Sequence, residues 1–252
     1  MIEFIDRVNR KGRGMTRVAI IQSNYIPWCG YFDIIAQCDI FIFLDDVQFT
    51  KNDWRNRNQI KTASGAQWLT IPCGKNISRN INQVMIETPK WAHTHWKTLV
   101  QNYAKTAFFN EYKVMFEELY LSWSEPVSLS EVNQSIIKMI AHEILKLGCQ
   151  FHSSDEFVTV DHRVDRLVEI VAAVGGDAYL SGPAAKAYLD LSTFQDNNIS
   201  VSFADYPYYG PYKQQHGDFI PNLPMIDALF NLGEESRDLF GCMPSVLSTS
   251  MA

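Results

Sequence analysis

The chain has few cysteines and no pattern among them. Cys29, Cys38, Cys73, Cys149 and Cys242 are an odd set without paired spacing. That argues against a disulfide framework and a zinc module. It favours reduced thiols in a cytoplasmic protein. Basic residues do not outnumber acidic ones: 22 Lys and Arg against 28 Asp and Glu give a formal charge of −6. General nucleic-acid binding, which draws on excess cation, is therefore not expected. No apolar run reaches the length of a membrane span. The six histidines fit no ligand spacing, so no metal site is expected. Neither the dinucleotide glycine fingerprint nor a P-loop occurs, and no cofactor is specified. Residues 1–14 are charged and lack the apolar stretch of a signal peptide. They read as a loose extension, or a misplaced start, ahead of Met15.

What is present is an α/β pattern. Val18 to Ile21 is a short apolar run, Tyr31 to Ala36 reads as a helix, and Ile40 to Leu44 is a second apolar run. Strand, loop, helix and strand within about 30 residues make one βαβ unit. Further on, Arg163 to Val174 reads as a helix, and Ala178 to Leu180 and Ile199 to Phe203 as strands. Between them residues 91–147 carry apolar positions at helical spacing, with Ser130 as an N-cap and Gly148 as a terminator. We expect a mostly parallel, Rossmann-like sheet with helices on both faces and a helical middle section. The expected organisation is one domain over 15–240 and a tail at 241–252.

In such a sheet the ligand lies outside the carboxyl ends of the strands. The first such loop carries Gln22, Asn24, Tyr25 and Trp28, with Pro27 fixing φ and Gly30 allowing close approach. It reads as an anion cradle or, equally, as a rigid turn lidded by its aromatics. Asp45 and Asp46 end the second strand, where a carboxylate can hold a metal, a ribose or an amine, or simply cap a turn. Adjacent strand residues face opposite ways, so only one is expected to point into the crevice. Arg55, Asn56, Arg57, Asn58 and Lys61 form a basic, amide-rich cluster suited to phosphate or carboxylate, or to a solvated face. Ser181 and Gly182 open a strand-to-helix turn ending in Lys186, which suits an oxyanion or a helix cap. His216, beside Gln214, is a candidate acid–base group. Tyr212 belongs to an aromatic stretch expected to close the pocket. Cys29 reads as a small filler rather than a nucleophile.

Several of these motifs, in this order, resemble the WbqC-like protein family. They are Gln22, Tyr25, Pro27-Trp28 and Gly30-Tyr31-Phe32-Asp33, then Leu44 to Phe49 and Asn56-Arg57-Asn58. Later come Ser181-Gly182-Pro183-Ala184, Tyr212 with Gln214, Phe219 with Pro221, and Ile226-Asp227 with Leu229-Phe230-Asn231. The resemblance runs from about Met15 to Gly233. It departs at Ser23, where members carry Pro, and at Pro224, where they carry Ser. The resemblance implies work in O-antigen and other surface-polysaccharide gene clusters. It implies transfer of glycine, or a similar small acyl or aminoacyl group, onto an amino sugar carried on a nucleotide. It assigns no catalytic residues.

Such a reaction needs a base for the amine, donors for the oxyanion and a site for the diphosphate. We assign these to Asp45 or Asp46, to Ser181 and Gly182, and to Arg55, Arg57 and Lys61, with Trp28, Tyr25 and Tyr212 stacking on base or sugar. The acyl donor is an adenylate, a thioester or a charged tRNA. Two alternatives stand beside this. The Pro-bearing loop before a helix is similar to the nucleotidylyltransferases with a HIGH-type motif, which implies an ATP-dependent amide ligase, although the His pair of that motif is missing. The same pocket also suits a non-catalytic nucleotide-sugar-binding accessory protein.

Overall fold

A computed structural model describes residues 14–159 and 163–240, and the backbone of 245–246. The expected extension at 1–14 lies outside the described residues but for Gly14, and the expected tail does so but for that backbone.

The two apolar runs near the start form β1 (Arg17–Ile21) and β2 (Ile40–Phe43), joined through helix α1 (Cys29–Ala36). A hairpin follows, β3 (Arg57–Thr62) and β4 (Gly65–Thr70), turned by Gly65 at φ 103°. Next come β5 (Met85–Ile86), α2 (Lys90–Tyr103), α3 (Phe109–Ser122), β6 (Val127–Ser128) and α4 (Leu129–Lys138). The chain then returns through β7 (Gln150–Ser153), α5 (Arg163–Ala173), β8 (Ala178–Ser181), α6 (Leu191–Asp196), β9 (Ser200–Phe203) and α7 (Met225–Leu232). A final β10 (Ser245–Val246) pairs antiparallel with β9.

Five strands run parallel in the order β7-β2-β1-β8-β9. In chain order this is the 3-2-1-4-5 arrangement of a doubly wound sheet, and the winding reverses between β1 and β8. Strand side chains alternate, so each strand feeds two layers. Val18, Ile20, Ile40, Ile42 and Tyr179 pack under α5 and α6. Ala19, Phe41, Phe43 and Leu180 pack on the other face, with α1, the helical section and α7. Burial on both faces explains why these strands are nearly continuous apolar runs.

Two local expectations are corrected. The long helix does not run on to Gly148. It passes from α4 into a π-turn, Met139–Ile144. There the Leu145 N–H donates to the Ile140 carbonyl and the Leu147 N–H to that of Ala141, each at 2.8 Å. These wide closures satisfy the last carbonyls and set Lys146, not Gly148, in the left-handed region at φ 51°. The N-cap of α4 is Ser128, whose hydroxyl oxygen accepts from the Glu131 N–H at 3.0 Å, and not Ser130, whose hydroxyl is turned to Asp45. Among the described residues no helix is long and apolar enough to cross a membrane.

Candidate functional site at the switch point

The loop after β1 is held in an unusual shape. Ile26 is fully buried and sits at φ 38°, a costly conformation for a β-branched residue. Asn58 of β3 holds it there, donating from Nδ2 to the carbonyls of Ile26 (2.8 Å) and Tyr25 (3.3 Å). The Tyr25 N–H bonds the Trp54 carbonyl at 2.9 Å, and the Pro27 carbonyl accepts from the Met225 N–H at 2.8 Å. The loop is thus clamped from three sides. Trp28 folds back over Gly30, where a Cβ would lie 2.5 Å from the indole. Tyr206 and Tyr209 meet that indole edge-on, with centroids 4.9 and 5.4 Å away.

These constraints leave a cleft of about 870 Å³ at the carboxyl ends of β1, β2 and β8. It lies where a doubly wound sheet holds its ligand and has the size of a small-molecule site. Gln22, Asn24 and Trp28 line it from the first loop, and Ser181 and Gly182 from the loop after β8. Tyr188 and Tyr206 add aromatic walls. Arg163 and Arg166 line it from the first turn of α5.

Among the described residues that line this cleft, the charged ones are both cationic, Arg163 and Arg166. Arg55 stands behind the first loop, donating from Nη1 to Asn24 Oδ1 at 2.7 Å and from Nη2 to Gln22 Oε1. Its buried Nε has no partner among the described residues. Arg166 forms an ion pair with Asp46 and donates from Nε to Thr159 Oγ1 at 3.2 Å. The Arg163 guanidinium lies 4.2 Å from the centre of the Tyr188 ring. Guanidinium groups beside aromatic faces suit a phosphorylated ligand with a flat or ring-shaped body.

The two adjacent carboxylates lie just past the end of β2 and face different ways. Asp46 points to Arg166 and to the Ser154 hydroxyl at the edge of the cleft. Asp45 is buried and accepts from the Ser23 N–H (2.8 Å), the Ser130 hydroxyl and Gln134 Nε2 (3.1 Å). Its carboxylate braces the first loop against α4 instead of facing the cleft.

The remaining sequence candidates divide among other places. Tyr25 is fully buried, with its hydroxyl 2.8 Å from both His95 Nδ1 and the Tyr120 hydroxyl. It belongs to the core and not to the cleft wall. The Arg55 to Lys61 cluster is not one surface, because β3 begins inside it. Asn56 is buried and holds the Ile71 carbonyl at 3.0 Å. Arg57 turns to the Trp68 ring, 4.2 Å from its centre. Lys61 is 1% exposed and donates to Gln214 Oε1 at 3.0 Å and to the Asp218 carbonyl.

Lys61 belongs to a buried polar network around Asp227. That carboxylate accepts from Tyr103 (2.9 Å), Tyr212 (2.8 Å) and Gln214 Nε2 (2.9 Å). Burial pushes its pKa up, and those three donors pull it back. Tyr212 and Gln214 are therefore spent on Asp227 and do not close the cleft; Tyr206 does. The Cys29 thiol is pushed up to about 12, first by burial and then by Asp227, which makes it a poor nucleophile.

His216 is exposed, on a left-handed turn at φ 61°. Lys186 is exposed, with its ammonium 5.4 Å from the Phe203 ring centre. Only a short 3₁₀ turn, Pro183–Ala187, follows Gly182, so a full helix dipole does not aim at Ser181. Ser181 is itself buried and hydrogen-bonded to the Tyr179 side chain. Among the described residues no three His, Cys, Asp or Glu side chains converge as metal ligands would.

Sequence reasoning passed over Arg163, Arg166 and Tyr188. One signal was there: two arginines in the first turn of a helix oppose the helix dipole. Such placement calls for an anionic partner.

The fold and the cleft define a doubly wound α/β protein with an arginine- and tryptophan-lined cleft at its switch point. The chain belongs to the WbqC-like protein family, whose model matches residues 22–239. It is similar to a Mycobacterium tuberculosis (strain ATCC 25618 / H37Rv) protein named uncharacterized protein Rv1507c. The two are 39% identical over 226 residues, which cover 89% of this chain and 97% of that relative. No solved structure matches the chain.

Proposed function

We propose that the protein transfers glycine, or a similar small acyl group, to the amine of a nucleotide-linked amino-deoxysugar in surface-polysaccharide biosynthesis. The observation that carries this reading is the pairing of guanidinium groups with aromatic walls in one cleft at the switch point. Family membership supports it as well. Arg163 and Arg166 take the diphosphate, Arg55 behind them fixes Gln22 and Asn24 at the cleft wall, and Trp28, Tyr188 and Tyr206 pack on base and sugar. The amine nitrogen attacks the acyl carbon of an adenylate, thioester or aminoacyl ester. A C–N bond forms, and the C–O or C–S bond breaks with its electron pair going to the carrier. The amine proton passes to a carboxylate, for which Asp46 is our choice, because Asp45 faces away from the cleft. Ser181 and the Gly182 N–H are the donors for the oxyanion.

One observation favours a binding role without chemistry: both carboxylates are already held by protein groups. Mass spectrometry of the protein incubated with a 4-amino-sugar nucleotide, ATP and glycine separates the two. A product heavier by one glycyl unit is expected. Tight binding with no product would leave the accessory reading.

A further inference from the structure

A second pocket lies beside the cleft, on the far side of Trp28 and Asn24. It encloses about 300 Å³ and is lined by Asn24, Pro27, Trp28, Trp54, Asn58 and Asn222. The contrast with the cleft is chemical. None of the six lining residues is charged. Two indoles and three amides face a space at the lower end of the small-molecule range.

The amides are not all spent within the protein. Asn58 is: its Nδ2 holds the Tyr25 and Ile26 carbonyls, and its Oδ1 accepts from the Gln59 N–H at 2.8 Å. Asn24 uses only its Oδ1, on Arg55, so its Nδ2 has no partner among the described residues. The Asn222 side chain has none either, and it sits on a left-handed turn at φ 58°. Free amide donors and acceptors beside aromatic faces match a ligand with hydroxyls around its rim and C–H groups on its faces.

The exposed indole is also preorganised. Trp54 is 47% exposed, yet it packs on Trp68 with ring centroids 5.7 Å apart. Trp68 in turn carries the Arg57 guanidinium at 4.2 Å. The stack Arg57–Trp68–Trp54 holds an apolar face at the pocket mouth, with less conformational freedom left to lose on binding.

We propose that this pocket is a subsite for an uncharged pyranose ring, separate from the anion-binding cleft and sharing its Trp28–Asn24 wall. The proposal rests on the functional reading above in one respect, that the protein works on carbohydrate: the amino sugar and its diphosphate stay in the cleft, and the ring bound here is a second, uncharged sugar unit. The subsite itself is testable alone.

The test follows the tryptophan indole N–H signals by NMR while two probes are added separately. One is the methyl glycoside of N-acetylglucosamine and the other is uridine diphosphate. The glycoside is expected to shift the Trp54 and Trp28 signals. Trp54→Ala and Asn222→Ala should each weaken the glycoside by about tenfold or more and leave the diphosphate within about twofold. Arg166→Ala should do the reverse. Both pocket substitutions are at exposed positions, so the fold should survive them. No glycoside response at millimolar concentrations, or glycoside affinity unchanged in both pocket variants, overturns the subsite. Equal losses for both probes in those variants overturn it too. A normal glycoside response without diphosphate binding upholds the subsite and sinks the cleft assignment instead.

Discussion

Asp46 and Arg166 form an ion pair that ties the loop after β2 to the first turn of α5 across the mouth of the cleft. Their side chains are 22% and 19% exposed, so the pair is partly screened by solvent. Pairs of this kind contribute little to stability, about 1 kcal/mol or less. Arg166→Ala should unfold within about 1 kcal/mol of wild type in urea. It should also lose roughly 1.5–3 kcal/mol of affinity for a nucleoside diphosphate, the worth of a charged hydrogen bond. Calorimetry beside a denaturation curve reads both. A large stability loss with unchanged affinity would make the residue structural.

Asp45 should behave in the opposite way. Its buried carboxylate satisfies a backbone N–H, a hydroxyl and an amide, drawn from the first loop and from α4. Asp45→Ala strands those donors in the interior, at a cost of about 3 kcal/mol or more. The midpoint of chemical denaturation should fall accordingly. A stable Asp45→Ala protein lacking only turnover would return this residue to the chemistry.

His95 gives a pH dependence of known sign. Burial lowers its pKa from 6.5 to about 4, against a smaller opposing hydrogen bond to the Thr70 backbone. The native state therefore favours the neutral ring, and the unfolded chain takes up the proton first. This contribution is complete above pH 6.5 and is lost as the pH falls towards 4, on the order of 3 kcal/mol in all. Asp33 and Asp227, raised by burial, act in the other direction. The difference between wild type and His95→Gln isolates the histidine. Unfolding free energies measured from pH 7 to 4 should converge on acidification. Parallel curves would refute the assignment.

The sheet was legible in the sequence because burial on both faces writes each strand as an unbroken apolar run. Val18 to Ile21 and Ile40 to Leu44 lead to β1 and β2 almost residue for residue. The sheet-edge loops were legible for the same reason, and Gln22, Asn24, Trp28, Ser181 and Gly182 do meet in one cleft. The basic cluster misled because sequence proximity says nothing about strand phase. Arg55 precedes β3 and reaches the first loop, Arg57 turns to Trp68, and Lys61 goes inward. A buried lysine is rare, and only distant partners at Gln214 and Asp218 make it tolerable. Tyr25 and Tyr212 looked like ligand contacts because aromatics in polar loops do. Their hydroxyls instead satisfy His95 and Tyr120 in one case and Asp227 in the other. Arg166 was hidden inside a stretch, Arg163 to Val174, that read only as a helix.

The strand order has a consequence for biosynthesis. β2 and β7 are neighbours, with Phe41 opposite Phe151, yet residues 44–149 run between them. On a ribosome, β1 and β2 emerge together, while the outer edge of β2 waits for the whole hairpin and helical section to be made. Until Gln150–Ser153 appears, the apolar run Ile40–Phe43 presents an unpaired, hydrogen-bonding edge. The pairing that completes this side of the sheet closes a loop of that length, a slow and entropically costly step. A nascent chain stalled before residue 150 would thus be the aggregation-prone species, even though every residue of the first loop is already present.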